Sequence, residues 1–169
     1  MFKKIELIAN IAIIVVALIL GVVLVKRYLL TDTQSAAPTA ARIQPGTKVQ
    51  LAGVDWSKSG QTLVLVVSDT CHFCTESAEF YQRLAQEKAK HEGTRMIAVL
   101  PQDVSRGQAY LSKLGVAVDE VQQSPLDAIG VVGTPTLLLI DDKGAVKQSW
   151  VGKLPPGQET EVLSKFQAK

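Results

Sequence analysis

Two cysteines occur in this 169-residue chain, and they stand two residues apart in Cys71-His72-Phe73-Cys74. Thiols at that spacing can exchange disulfides. One attacks as a thiolate and the other resolves the mixed disulfide that results. As a structural staple the pair would do little, because a bridge closing so short a loop removes little chain entropy from the unfolded state. As a metal pair it would need two further ligands for a closed zinc site. His72 points from between the cysteines. His91 is seventeen residues beyond Cys74, or roughly 25 Å along a helix at 1.5 Å per residue. Haem attachment needs a histidine directly after the second cysteine, and Thr75 stands there. No metal and no other cofactor is therefore expected.

The flanking sequence supplies the elements that would position such a pair. Thr62 to Val67 is β-branched and apolar on both faces, as in a central strand covered on two sides. Thr75 to Lys90 is helix-like, with Phe80, Tyr81 and Leu84 on one stripe. A strand that delivers Cys71 to the first turn of a helix places its sulfur beside unpaired N–H groups and a positive dipole end, which favour the thiolate. His72 either adds a cation beside Cys71 or is a solvated turn residue. Phe73, between the cysteines with His72, is expected to help tune the couple, and it either meets partner proteins or packs on Trp56 or the Pro135 loop. Glu76 and Glu79 are expected on a solvated face.

The rest of the chain continues in alternation. Val49 to Val54 is a candidate short strand, and Trp56 to Gly60 a turn. Thr94 to Leu100 predicts a second buried strand, stopped by Pro101. Asp103 is placed to cap a helix carrying Tyr110, Leu111 and Leu114 and ending at Gly115. Val116 to Val121 is a weak third strand, and Leu126 to Ile129 one helical turn. Thr136 to Ile140 is a strong strand. Asp142-Lys143-Gly144 signals a turn into Ala145 to Val151. Pro155-Pro156 precedes a last helix with Val162, Leu163 and Phe166. The pattern predicts an α/β sheet with helices on both faces.

In front of this domain, Leu7 to Val25 is uncharged and apolar apart from Asn10, with lysines before it and Lys26-Arg27 after it. Its nineteen residues are about the length that crosses a bilayer core. The run is longer than the apolar part of a usual signal peptide and no small-x-small site follows directly, so an uncleaved anchor is expected over a cleaved leader. Thr31 to Gly46 is rich in Thr, Ser, Ala, Pro and Gln, as in a flexible tether. The expected organisation is a tail and transmembrane anchor over 1–30, a linker over 31–47 and a catalytic domain over 48–169. Of 18 basic and 16 acidic residues, 14 and 15 remain once Lys3, Lys4, Lys26, Arg27 and Glu6 are set aside. The domain is thus near neutral with no basic stripe, and no nucleic-acid partner is indicated.

Strand, Cys-x-x-Cys, helix, a βα section, Gly133-Thr134-Pro135-Thr136, hairpin and helix, in that order, resemble the thioredoxin superfamily. The likeness is greatest to its membrane-anchored, extracytoplasmic TlpA-like or redoxin branch, and it covers Lys48 to the C-terminus. The resemblance implies a thioredoxin-like fold, a central mixed β-sheet flanked by helices, behind one transmembrane helix. It implies a cis Pro135 facing the cysteines, with Thr134 and Pro135 pairing with an extended substrate segment. It further implies a single-pass protein of the cell membrane whose domain faces the periplasmic side, acting on protein thiols or disulfides together with a redox partner protein. Cys71 is then the nucleophile and Cys74 the resolving thiol. The chain departs from the family pattern at Thr70, where many relatives have tryptophan, and at His72-Phe73, which brings no proline to the turn. It departs again at Leu65, where thioredoxin has a buried aspartate, and at Ser77, where some TlpA-like proteins have a glutamate. The proton acceptor and the direction of electron flow are not set by these residues. Two rival readings are a peroxiredoxin-like peroxidase, for which Ser68 and Thr70 lack the required spacing, and a non-catalytic binding module using the Pro135 edge.

Overall fold

Leu63, Leu65 and Val67 face one side of a sheet while Val64 and Val66 face the other, and all five are fully buried. That two-sided burial places β1 (Gln61–Val66) at the centre of the sheet. The computed structural model describes residues 13–18, 20 and 42–167. Five strands lie in the order β3-β2-β1-β4-β5. β2 (Thr94–Leu100) and β3 (Glu120–Gln123) run parallel to β1 on one side. On the other side, β4 (Thr136–Asp141) and β5 (Val146–Val151) form an antiparallel hairpin, with β4 antiparallel to β1. Val66 pairs with Thr136, so the chain leaving β1 and the chain entering β4 meet at one end of the sheet.

Four helices supply the other layer: α1 (His72–Glu76), α2 (Ala78–Lys88), α3 (Val104–Lys113) and α4 (Pro156–Gln167). Cys74 of α1, Phe80, Tyr81 and Leu84 of α2, Leu111 of α3 and Val162 of α4 all pack into one cluster with Leu63, Leu65, Met96, Leu100 and Trp150. Among the described residues, no α-helix packs on the opposite face. Val49, Leu51, Ile129 and Val131 pack there on Val64, Val66, Ile97 and Ile140. The expectation of helices on both faces is thus corrected. Leu126 to Ile129 makes only a 3₁₀ turn, Asp127–Ile129, closed by Gly130 at φ 71°, which is too short to form a helical layer.

Other boundaries differ for local reasons. The helix expected over Thr75 to Lys90 starts earlier and breaks at Ser77. The Ser77 hydroxyl donates to the Phe73 carbonyl at 2.8 Å, and such back-bonding competes with the helical ladder. No strand forms over Val49 to Val54. The chain turns at Gly53 (φ 78°), and pairing is limited to a bridge between Lys48 and Ala145. β3 begins at Glu120 rather than Val116 because Val116 closes the end of α3, its N–H donating to the Leu111 carbonyl at 3.0 Å. Asp103 caps α3 as expected, accepting from the Arg106 N–H at 2.9 Å. Most of Leu7 to Val25, and of the linker to residue 41, lies outside the described residues, as does the Phe166 side chain. Residues 13–18 and 20 are helical. Among the described residues no helix is long and apolar enough to cross a membrane.

Candidate active site

Cys71 is the N-cap of α1, and its Sγ accepts the Cys74 N–H at 3.1 Å. The two cysteines are joined by a disulfide, with Cα atoms 5.2 Å apart. The bridge is asymmetric toward solvent. Cys74 is fully buried among the side chains under α2, whereas Cys71 is partly exposed. A thiolate arriving from outside can therefore reach only the Cys71 sulfur.

The proline turn stands against that sulfur. The Thr134–Pro135 bond is cis, and the Thr134 carbonyl oxygen lies 3.4 Å from Cys71 Sγ. Within the turn, the Thr136 hydroxyl donates to the Gly133 carbonyl at 2.8 Å. The Pro135 carbonyl accepts from the Gly152 N–H at 2.8 Å, which ties the turn to the end of β5. The sequence elements singled out for chemistry, Cys71, Cys74, Thr134 and Pro135, thus come together at one end of the sheet.

His72 and Phe73 are both exposed on the outside of α1. His72 Nε2 lies 2.9 Å from Glu76 Oε1, so its polar contact is with that carboxylate. The other Glu76 oxygen accepts from Lys153 Nζ at 2.8 Å. The Lys153 hydrogen bond, followed by the Lys153 and His72 charges, holds the Glu76 carboxyl below the usual carboxylate range. Phe73 is 55% exposed. Among the described residues of the folded domain, the other exposed large apolar side chains are Val104 and Val132. Val104 opens α3 shortly after β2, and Val132 stands on the loop before β4. By strand direction both belong to the same end of the sheet as Cys71.

Under the cysteine turn, Ser68 Oγ contacts the Thr70 hydroxyl at 3.0 Å and accepts from Gln102 Nε2 at 2.9 Å. Asp69 is engaged by Arg106 of α3. These contacts fasten the loop after β1 to the loop after β2. Sequence reasoning missed Gln102, Arg106 and Lys153. For Lys153 a signal existed: it lies two residues past Val151, which pairs with Thr136 beside the proline turn. Leu65 is buried with Cys74 in the same cluster, so β1 brings no carboxylate to the resolving thiol.

A central mixed sheet with a Cys-x-x-Cys pair opening a helix and a cis-proline turn against the reactive sulfur defines a thioredoxin-like thiol–disulfide oxidoreductase. The redoxin family model matches residues 32–165, and the chain belongs to that family. Solved structures share the fold at low sequence identity. A protein of Chlorobium tepidum assigned as a thiol:disulfide interchange protein DsbE has 22% identity and a TM-score of 0.59, over 74% of this chain and 96% of that one. A thioredoxin-family thiol:disulfide interchange protein of Chlorobium tepidum TLS has 16% identity and a TM-score of 0.56, over 75% and 99%. A thiol-disulfide isomerase of Corynebacterium glutamicum has 17% identity and a TM-score of 0.54, over 78% and 98%. No curated protein matches significantly.

Proposed function

We propose that this chain is a membrane-anchored thiol–disulfide oxidoreductase that exchanges its Cys71–Cys74 couple with protein substrates outside the cytoplasm. The observation that carries the exchange is the contrast between a partly exposed Cys71 sulfur against the Thr134 carbonyl and a fully buried Cys74. In the reducing direction the Cys71 thiolate attacks one sulfur of a substrate disulfide. A Cys71–substrate bond forms and the other substrate sulfur leaves as a thiolate, which takes up a proton. The Cys74 thiolate, its proton given up to solvent, then attacks Cys71 Sγ; the Cys71–substrate bond breaks, the remaining substrate sulfur leaves as a thiolate and takes up a proton, and the Cys71–Cys74 bridge closes. Two electrons have passed to the substrate. In the oxidising direction the same steps run backwards, beginning with a substrate thiolate attacking Cys71 Sγ.

Protein rather than small-molecule substrates are supported by Phe73 and Val132, exposed on the two turns that meet at the reactive sulfur. Thr134 and Pro135 are the residues whose backbone would pair with an extended substrate segment. The anchor is proposed from the uncharged run Leu7 to Val25, and the extracytoplasmic side from the family branch the sequence resembles. A redox partner protein that restores the couple belongs to the same proposal.

The test is trapping in the native cell. Cys74→Ala removes the resolving sulfur, so substrates should remain disulfide-bonded to Cys71 and be identifiable in the membrane fraction. Cys71→Ser should trap nothing. Protease added to intact spheroplasts should remove the domain. A fully protected domain would refute the extracytoplasmic placement, and full biological function after Cys71→Ser with Cys74→Ser would refute the exchange reading in favour of a binding module.

A further inference from the structure

We infer that Glu76 is a positioning residue that sets the charge beside the reactive sulfur, holding the His72 imidazole to itself and tying the cysteine turn to the proline turn through Lys153. The inference rests on Cys71 being the attacking thiol.

One carboxylate serves two basic side chains, one per oxygen: His72 Nε2 at 2.9 Å and Lys153 Nζ at 2.8 Å. His72 and Glu76 are four residues apart on α1, so they share its outer face. Lys153 comes from the far side of the site. It follows Gly152, whose N–H holds the Pro135 carbonyl at 2.8 Å. The contacts therefore run from His72 through Glu76 to Lys153, then along the backbone to Pro135. Its neighbour Thr134 meets Cys71 Sγ, one residue before His72. The path closes a loop around the reactive sulfur.

The chemistry follows from the charges. A cation beside Cys71 stabilises the thiolate and hence the reduced form, which makes the bridge easier to reduce. His72 adjoins Cys71 and would act in that sense. Glu76 opposes it by supplying a negative charge on the same face and by fixing the imidazole against its own oxygen. The other acidic group of the cysteine turn, Asp69, is paired with Arg106. Glu76 is thus the acidic group that balances His72 and Lys153.

Glu76→Gln keeps the shape and removes the charge. In a redox equilibrium with glutathione at low salt and fixed pH, the equilibrium constant for reducing the bridge should rise about two- to five-fold, the size of a near-surface charge interaction. The rise should shrink by about half in a His72→Asn background and fade at high salt. Lys153→Met, which removes a cation and leaves Glu76 with His72, should lower the constant. An unchanged or lowered constant in Glu76→Gln would overturn the inference, as would an equal rise with and without His72. Residue-resolved alkylation of the reduced wild-type chain separates the two levels. If Cys71 reacts first and Glu76→Gln shifts nothing, the positioning role alone fails. If Cys74 reacts first, the underlying assignment fails.

Discussion

Cys71 Sγ and the carbonyl oxygen of Thr134 lie 3.4 Å apart although 63 residues separate them in sequence. The β1–β4 pairing, with Val66 opposite Thr136, brings the two turns together. With the bridge closed the sulfur carries no proton and this is a contact between two electron-rich atoms. In the dithiol the S–H has an acceptor there, while the Cys74 N–H, 3.1 Å away, favours the thiolate. The reactive sulfur thus sits between a group that favours the thiol and one that favours its ionised form.

The exposed apolar residues on the two turns give a prediction about substrates. Phe73→Ser or Val132→Ser should raise KM for a protein disulfide roughly five- to ten-fold, from the loss of about 1–1.5 kcal/mol of apolar contact. Turnover of a small disulfide such as oxidised glutathione should change less than about two-fold, because the reacting sulfur is untouched. Equal losses on both substrates would show that these side chains support the turn instead of touching the substrate.

How much of this was legible in the sequence depended on the range of the interaction. The two-faced apolar run Thr62 to Val67, the Asp103 cap and the β4–β5 turn rest on neighbours a few residues away, and the structure shows all three. The break at Ser77 depended on one hydroxyl choosing the Phe73 carbonyl over solvent, which propensity does not reveal. Val116 to Val121 has the composition of a strand, yet its first half was drawn into closing α3. The layer under Val64 and Val66 is irregular backbone held by Val49, Leu51, Ile129 and Val131, and period-based reading has no signal for such a cover. At the site, Cys71, Cys74 and Pro135 could be placed because their types are rare and their order is diagnostic. His72 and Glu76 stand four residues apart in the sequence, but Glu76 was read only as part of a solvated face, and the pairing came from the structure. The cation completing it, Lys153, comes from 77 residues away and needed the fold.

Gly144 provides a stability test. Its φ is 76°, and a Cβ added there would lie 2.7 Å from Trp56 Cδ1. Gly144→Ala should cost roughly 1–3 kcal/mol in urea unfolding, from left-handed backbone strain together with the ring contact. Asparagine tolerates that backbone region better than alanine, so Gly144→Asn separates the causes. A substantial cost that falls when combined with Trp56→Ala is expected. A Gly144→Asn variant as stable as wild type would show that the indole yields freely.

The hairpin carries a pH-sensitive contact. Asp141 Oδ1 accepts from the Ala145 N–H at 2.8 Å and the Lys143 N–H at 2.9 Å. The Ala145 N–H chiefly, then that of Lys143, holds the carboxyl below its usual value against the opposing effect of burial. A depressed folded pKa contributes stability that is fully present above the unfolded value of about 3.9 and is lost as pH falls through the folded value. The wild-type advantage over Asp141→Asn in urea midpoint should hold from neutral pH to about pH 5 and then close below about pH 4. A gap unchanged down to strongly acid pH would show that the ionised carboxylate contributes nothing there.

The central claim is the division of labour between the two sulfurs, and residue-resolved alkylation of the reduced chain across about pH 5 to pH 9 tests it most directly. The partly exposed Cys71, with the Cys74 N–H on its sulfur, should be modified first, with a midpoint below the ordinary thiol value of about 8.5. Cys74, fully buried, should stay unmodified until the chain unfolds. A Cys74 that is modified first, with the lower midpoint, would contradict the account.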